Sequence, residues 1–243
     1  MSSAEALPLH YTLLPERMPP IPEVQRTPAQ QQAADAICAG PRGAVKGPYN
    51  CILRSPGLTT PMQQLGAYIR FECTLELRIN EMAALITARH WTSQFEWQAH
   101  EKHARAEGLA DHIITAIAEG RRPDNMAQDE AVTYDFVSEL LARHGICDAT
   151  YARGIKQFGE ESLMDLMGVV AYYSGLALIM NVARTQIPGR KDLPLVPWPL
   201  QMAKAYRLTF GRGGRHRPRQ HDLCLGDDSR NLAVTALDRG FPD

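Results

Sequence analysis

The chain contains no CxxC pair, no HExxH motif and no second helix repeating a Glu-x-x-His pattern. Its five cysteines, Cys38, Cys51, Cys73, Cys147 and Cys224, are odd in number and widely spread. Neither a disulfide framework nor a zinc knuckle fits that spacing. No run of eighteen apolar residues occurs, so no membrane span is expected. The opening MSSAEALPLHYTLLPERMPP lacks a basic segment followed by an apolar one, which argues against a secretory signal. Together these absences lead us to expect a cytoplasmic protein with reduced cysteines. The formal net charge of -1 gives no bulk attraction to nucleic acid or membrane.

What is present is helical. The chain has 243 residues and 44% hydrophobic content, enough for one substantial core. Thr27-Pro28 supplies a cap and a first helical residue for a helix ending near Gly40. GPRGAVKGPYN, residues 40–50, reads as a loop. Further helices are expected from near Thr59 through LGAYIRFECTLE, over 78–88, 93–107, 109–119 and 128–144, from Asp148 through Phe158, and over 162–187. Ile79, Met82, Ala83, Leu85 and Ile86 recur at helical spacing, and Gly108 is placed to stop a helix. The fold class is therefore all-α.

Three segments follow from composition. Residues 1–29 are proline-rich and read as an N-terminal arm or irregular wrap. Residues 30–188 form the helical domain. Residues 189–243 form a basic Pro/Gly-rich extension that includes DLPLVPWPL and FGRGGRHRPRQHD. The charge is uneven, with a net of -5 over 1–189 and +4 over 190–243. The extension lacks aromatic interleaving, so a partner-bound or solvated tail is expected rather than a nucleic-acid interface.

The chemistry concentrates in FEWQAHEKHARAEGL, residues 95–109. Glu96 and His100, His100 and His103, and His103 and Glu107 are spaced three or four apart and share a helix face. Three readings are open: surface pairing, a metal site, or acid–base catalysis. For a metal, the Glu96-to-His100 spacing does not fit the paired Glu-x-x-His pattern of bundle sites, and no metal is expected. For acid–base work, imidazole exchanges protons near neutral pH. Glu81, on the preceding apolar helix, is its natural partner, because a carboxylate there is costly to bury unpaired.

RINEMAALITARHWTSQFEWQAHEKHARAEGL, residues 78–109, resembles the core motif of the carboxymuconolactone decarboxylase family, which includes the AhpD-like alkylhydroperoxidases. The matching residues are Glu81, His100, Ala104, Gly108 and Leu109. GPYNCILRSPGL, residues 47–58, and GVVAYYSGLALIMNVARTQIP, residues 168–188, resemble two further family segments, in the expected order. The peroxidase branch carries CxxCxxxH, and here Ser93 and Glu96 occupy the cysteine positions. A serine hydroxyl cannot replace a thiolate nucleophile. The resemblance therefore implies the decarboxylase branch, with an AhpD-like helical domain flanked by extended arms.

That branch implies a cofactor-free lyase acting on a small carboxylated lactone or related cyclic acid. It also implies a homo-oligomer, a trimer or hexamer, with no nucleic-acid or membrane partner. His100 is the expected acid or base, and Glu81 or Glu96 its orienting or proton-carrying companion. Arg54, Arg78 or Arg89 would hold a substrate carboxylate, and Asn50 and Tyr49 a carbonyl or ring oxygen. Trp91, Phe95, Trp97, Tyr172 and Tyr173 would supply flat walls, with His103 near the pocket. The alternatives are a peroxidase-like oxidoreductase lacking the thiol pair and a non-catalytic protein that binds a small acid.

Overall fold

The structure is a computed structural model that describes residues 15–187, 189 and 193–196. Most of the basic extension, and residues 1–14 of the N-terminal arm, lie outside the described residues. Among the described residues there are eight α-helices and no strand, as the all-α reading requires. They are α1 (Pro28–Ala39), α2 (Pro48–Ile52), α3 (Pro56–Phe71), α4 (Leu77–His90), α5 (Gln94–Ala106), α6 (Asp111–Ala118), α7 (Gln128–Arg143) and α8 (Asp148–Ala183).

The centre is α4, whose residues from Ile79 to Arg89 are all buried. It packs against α5, α6, α7 and α8. Met82 and Leu85 are completely buried there, each a burial that contributes about 1.5–3 kcal/mol. Polar groups in so apolar a helix must find partners. Thr87 bonds back to Ala83 O at 2.8 Å, and Asn80 Nδ2 donates to Ile69 O at 2.7 Å, tying α4 to the end of α3.

Local signals explain most boundaries. Thr27 caps α1 ahead of Pro28 as expected, and Gln30 completes a capping box with it. At the end of α5, Leu109 N donates to Ala104 O at 2.9 Å and Gly108 N to Arg105 O at 3.1 Å. Gly108 has φ 85. This is a Schellman stop, which requires the left-handed conformation glycine supplies.

Other boundaries differ from expectation. α2 lies where a loop was expected to extend to Asn50; Pro48 is at its first turn. α3 starts at Pro56 rather than near Thr59, and ends at Phe71 rather than continuing towards Glu76. It ends early because the buried Asp165 on α8 captures the following chain. Asp165 accepts from Thr74 N, Thr74 Oγ1 and the Tyr68 hydroxyl, each at 2.8 Å. The two helices expected over 148–158 and 162–187 run together as α8. They meet at Gly159, whose φ 76 and ψ 177 break the helical path.

An 18-residue window of α8 has a mean hydropathy of 1.7. By length and composition it can cross a membrane, contrary to the expectation that no such segment exists. Half of that window is buried within the fold, and Leu166, Val169 and Ala177 are core residues. Part of the N-terminal arm also packs on α8: Arg17 N donates to Ala183 O at 2.8 Å.

Asp165 gives the first prediction. Burial pushes its carboxyl up, but the hydrogen bonds from Thr74 and Tyr68 outweigh this and hold it below the usual range. Its pairing therefore stabilises the fold above the unfolded-state pKa of about 3.9, and the contribution is lost as pH falls through the lower folded value. Asp165→Ala should cost about 2–4 kcal/mol in chemical denaturation at pH 7. The gap from wild type should shrink on acidification. A pH-independent gap would contradict this account.

Candidate functional site

The turn between α4 and α5 fixes the site. Thr92 adopts a left-handed φ of 49. Trp91 Nε1 donates to Ser174 Oγ at 2.9 Å, and Asn181 Nδ2 donates to Trp91 O at 2.8 Å. Both bonds anchor the turn to α8. The two helices leaving it carry Glu81 and His100 to the same place. Ala104, one turn beyond His100, is fully buried where a larger side chain would hold α5 away.

His100 Nδ1 lies 2.6 Å from Glu81 Oε2, and both side chains are about nine-tenths buried. With Glu81 as a carboxylate, Nδ1 carries the hydrogen and Nε2 is the nitrogen left for other chemistry. The His100 ring meets Tyr173 edge-on at 4.5 Å.

His100 opens onto a cavity of about 400 Å³, within the range of small-molecule sites. Its walls include Tyr49, Phe95, Glu96, His100, Tyr172 and Tyr173. Cationic side chains also line it: Arg42, Lys46 and Arg70. Gly47 has φ 56, and a Cβ there would strike the Phe95 ring, so only glycine admits that wall.

Glu96 is the anomaly. It is buried, yet neither carboxyl oxygen has a hydrogen-bond partner among the described residues. Burial pushes its pKa well above the usual carboxylate range; Ser93 opposes this without closing a hydrogen bond in the structure. Burial thus favours the protonated form of Glu96, which can donate a proton or a hydrogen bond. The Tyr173 hydroxyl is also buried and has no hydrogen-bond partner among the described residues. Burial raises its pKa, the Glu81 charge adds to the effect, and Arg70 opposes it.

A hydrogen-bonded chain also lines the cavity. Arg42 Nη2 lies 3.1 Å from Tyr172 OH, which lies 2.9 Å from Tyr49 OH, which lies 3.2 Å from Met62 O. Guanidinium can only donate and a carbonyl can only accept. The protons therefore run one way, from Arg42 to Tyr172 to Tyr49 to Met62.

Of the residues expected from sequence, Glu81, Glu96, His100, Tyr49 and Tyr173 come together, and Phe95 and Tyr172 join them. The others go elsewhere. Arg78 is held by Asp129 at 2.5 Å and Glu130 at 2.7 Å, so it is an ion-pair anchor between α4 and α7 rather than a substrate ligand. Arg89 donates to Val196 O at 2.7 Å, and Arg54 to Asn50 O and Pro19 O. Asn50 is absent from the cavity wall. Trp91 is committed to Ser174, and Trp97 is buried in the core. His103 is exposed, its ring 6.3 Å from that of His100. Cys51 is buried with Sγ 3.4 Å from Thr185 Oγ1 and does not line the cavity.

Sequence reasoning missed Arg42, Lys46 and Arg70. Arg42 and Lys46 stood in the GPRGAVKGPYN segment beside Tyr49, which was the available signal. Nothing in the pattern of α3 marked Arg70. No family model matches this chain, and no curated protein matches it.

Glu96 also predicts a pH effect. Its raised folded-state pKa means the folded protein keeps a proton that the unfolded chain loses first. Stability is unaffected below the unfolded-state value and falls as pH rises above it, towards the folded value. Glu96→Gln should match wild type at low pH and melt at a higher temperature at pH 8. Equal pH dependence in thermal melts of the two proteins would show that Glu96 is ionised in the fold.

Proposed function

We propose that this protein is a carboxymuconolactone decarboxylase-like lyase, acting on a small carboxylated lactone or related cyclic acid by His/Glu acid–base chemistry. The observation that carries the reading is the 2.6 Å contact between His100 and Glu81 at the wall of the cavity. A buried pair of this kind orients one imidazole nitrogen for proton transfer.

The reaction asks little else of the protein. As the carbon–carboxylate bond breaks, carbon dioxide leaves and the electron pair passes into the conjugated lactone carbonyl. The dienolate oxygen gains charge, and preorganised donors are what lower the barrier to that. The Glu96 carboxyl and the Tyr173 hydroxyl are buried donors free to serve there. The imidazolium form of His100 then delivers its Nε2 proton to carbon and becomes neutral imidazole, still bonded to Glu81. Solvent restores the proton for the next turnover.

A peroxidase-like alternative gains no support from the cavity wall, where no cysteine stands among the residues present.

The test is carbon dioxide release from a panel of carboxylated lactones and vinylogous β-keto acids, with metals chelated. His100→Ala should reduce kcat by about 10²- to 10⁴-fold. Glu81→Gln should also reduce it, by less, while shifting the pH profile. No release from any member of the panel by folded wild type would overturn the decarboxylase reading. Equal rates in wild type and His100→Ala would remove His100 from the chemistry.

A further inference from the structure

The cavity carries positive charge that nothing in the described structure neutralises. Arg42, Lys46 and Arg70 line it, and none of them forms an ion pair among the described residues. Other arginines behave differently: Arg78, Arg105, Arg121, Arg122, Arg143 and Arg153 all have carboxylate partners. The one ionisable pair at the site, Glu81 with His100, is satisfied internally.

Arg42 is held in a fixed pose. Its guanidinium sits 4.6 Å from the centroid of the Tyr49 ring and donates through Nη2 to Tyr172, while its Nε is buried without a partner among the described residues. A cation over an aromatic face is favourable, but a buried N–H left unpaired is costly. Gly66 makes the pose possible. A Cβ at that position would overlap both Tyr172 OH and Arg42 Nη2. Arg70 is four residues along from Gly66 on α3, so it rises one helical turn, about 5.4 Å, further along the same face. Arg42 acts electrostatically on Tyr172 and Arg70 on Tyr173. Both guanidinium groups share the cavity wall with Tyr172 and Tyr173, and Tyr173 contacts the His100 ring.

We propose that Arg42 and Arg70 form an anion subsite of this cavity, with Lys46 at its exposed margin. The subsite takes the carboxylate of an organic acid whose neighbouring carbonyl or ring oxygen accepts from the unpartnered Glu96 carboxyl and Tyr173 hydroxyl. Gly66 is a positioning residue that admits Arg42. The identity of the acid as a substrate rests on the acid–base reading above; the subsite itself rests on the cavity wall.

Calorimetric titration of the full chain reads binding separately from turnover. The probes are 2-furoate, which has a carboxylate beside a ring oxygen, benzoate, which has the carboxylate alone, and the uncharged 2-furamide. The expected order is 2-furoate tightest, benzoate weaker and the amide weakest. Arg42→Met and Arg70→Met should each weaken 2-furoate by about tenfold or more, as loss of a charge-assisted hydrogen bond does. Arg121→Met, at an exposed ion pair with Glu119, should leave it unchanged. Gly66→Ala should weaken 2-furoate in parallel with Arg42→Met, and circular dichroism establishes that each variant is folded. No binding of 2-furoate to folded wild type at millimolar concentration would overturn the subsite. So would undiminished binding in both arginine variants. If the binding pattern holds and no carbon dioxide is released, the subsite stands and the decarboxylase reading falls.

Discussion

The contact between Glu81 and His100 is the constraint on which the site depends. Glu81 sits on α4, the most deeply buried helix of the fold. A carboxylate placed there without a partner would be strongly destabilising. His100 supplies the partner, so α5 must pack with that face against α4. The left-handed turn at Thr92, the bonds from Trp91 and Asn181, and the small Ala104 all serve that approach. Removing either member of such a pair leaves the other buried and uncompensated, which is why position and chemistry are joined here.

Around that pair the cavity is divided in a way a merely structural core would not be. One part is a relay running from Arg42 Nη2 through Tyr172 and Tyr49 to Met62 O. Another presents the Glu96 carboxyl and the Tyr173 hydroxyl without a hydrogen-bond partner among the described residues. Native interiors satisfy most buried polar groups, and exceptions gather where a ligand or reacting group completes the set. The unneutralised arginines lie on the same cavity. These are the features on which the proposed anion subsite and acid–base chemistry rest: cationic side chains, buried donors and an oriented imidazole.

Much of this was legible in the sequence because it is local. The Thr27 cap, the Gly108 stop and the periodicity of α4 depend on residues within a turn or two. The pairing of Glu81 with His100 was legible because a short turn brings consecutive helices together. The arginines were not. Arg78 and Arg89 lie on the helix that carries Glu81, but they point to other partners, Asp129 and Glu130 for one and Val196 for the other. Arg70 reaches the cavity through the packing of α3 on α8, which no spacing in the chain announces. The early end of α3 has the same origin, since Asp165 is 91 residues from Thr74.

The most direct test of the account is nitrogen and proton NMR of the His100 imidazole at neutral pH, assigned by comparison with His100→Ala. The account predicts a hydrogen on Nδ1, protected from exchange and shifted downfield by a short bond to Glu81, with the signal lost in Glu81→Gln. A freely exchanging ring with no hydrogen on Nδ1 and no response to Glu81→Gln would contradict it.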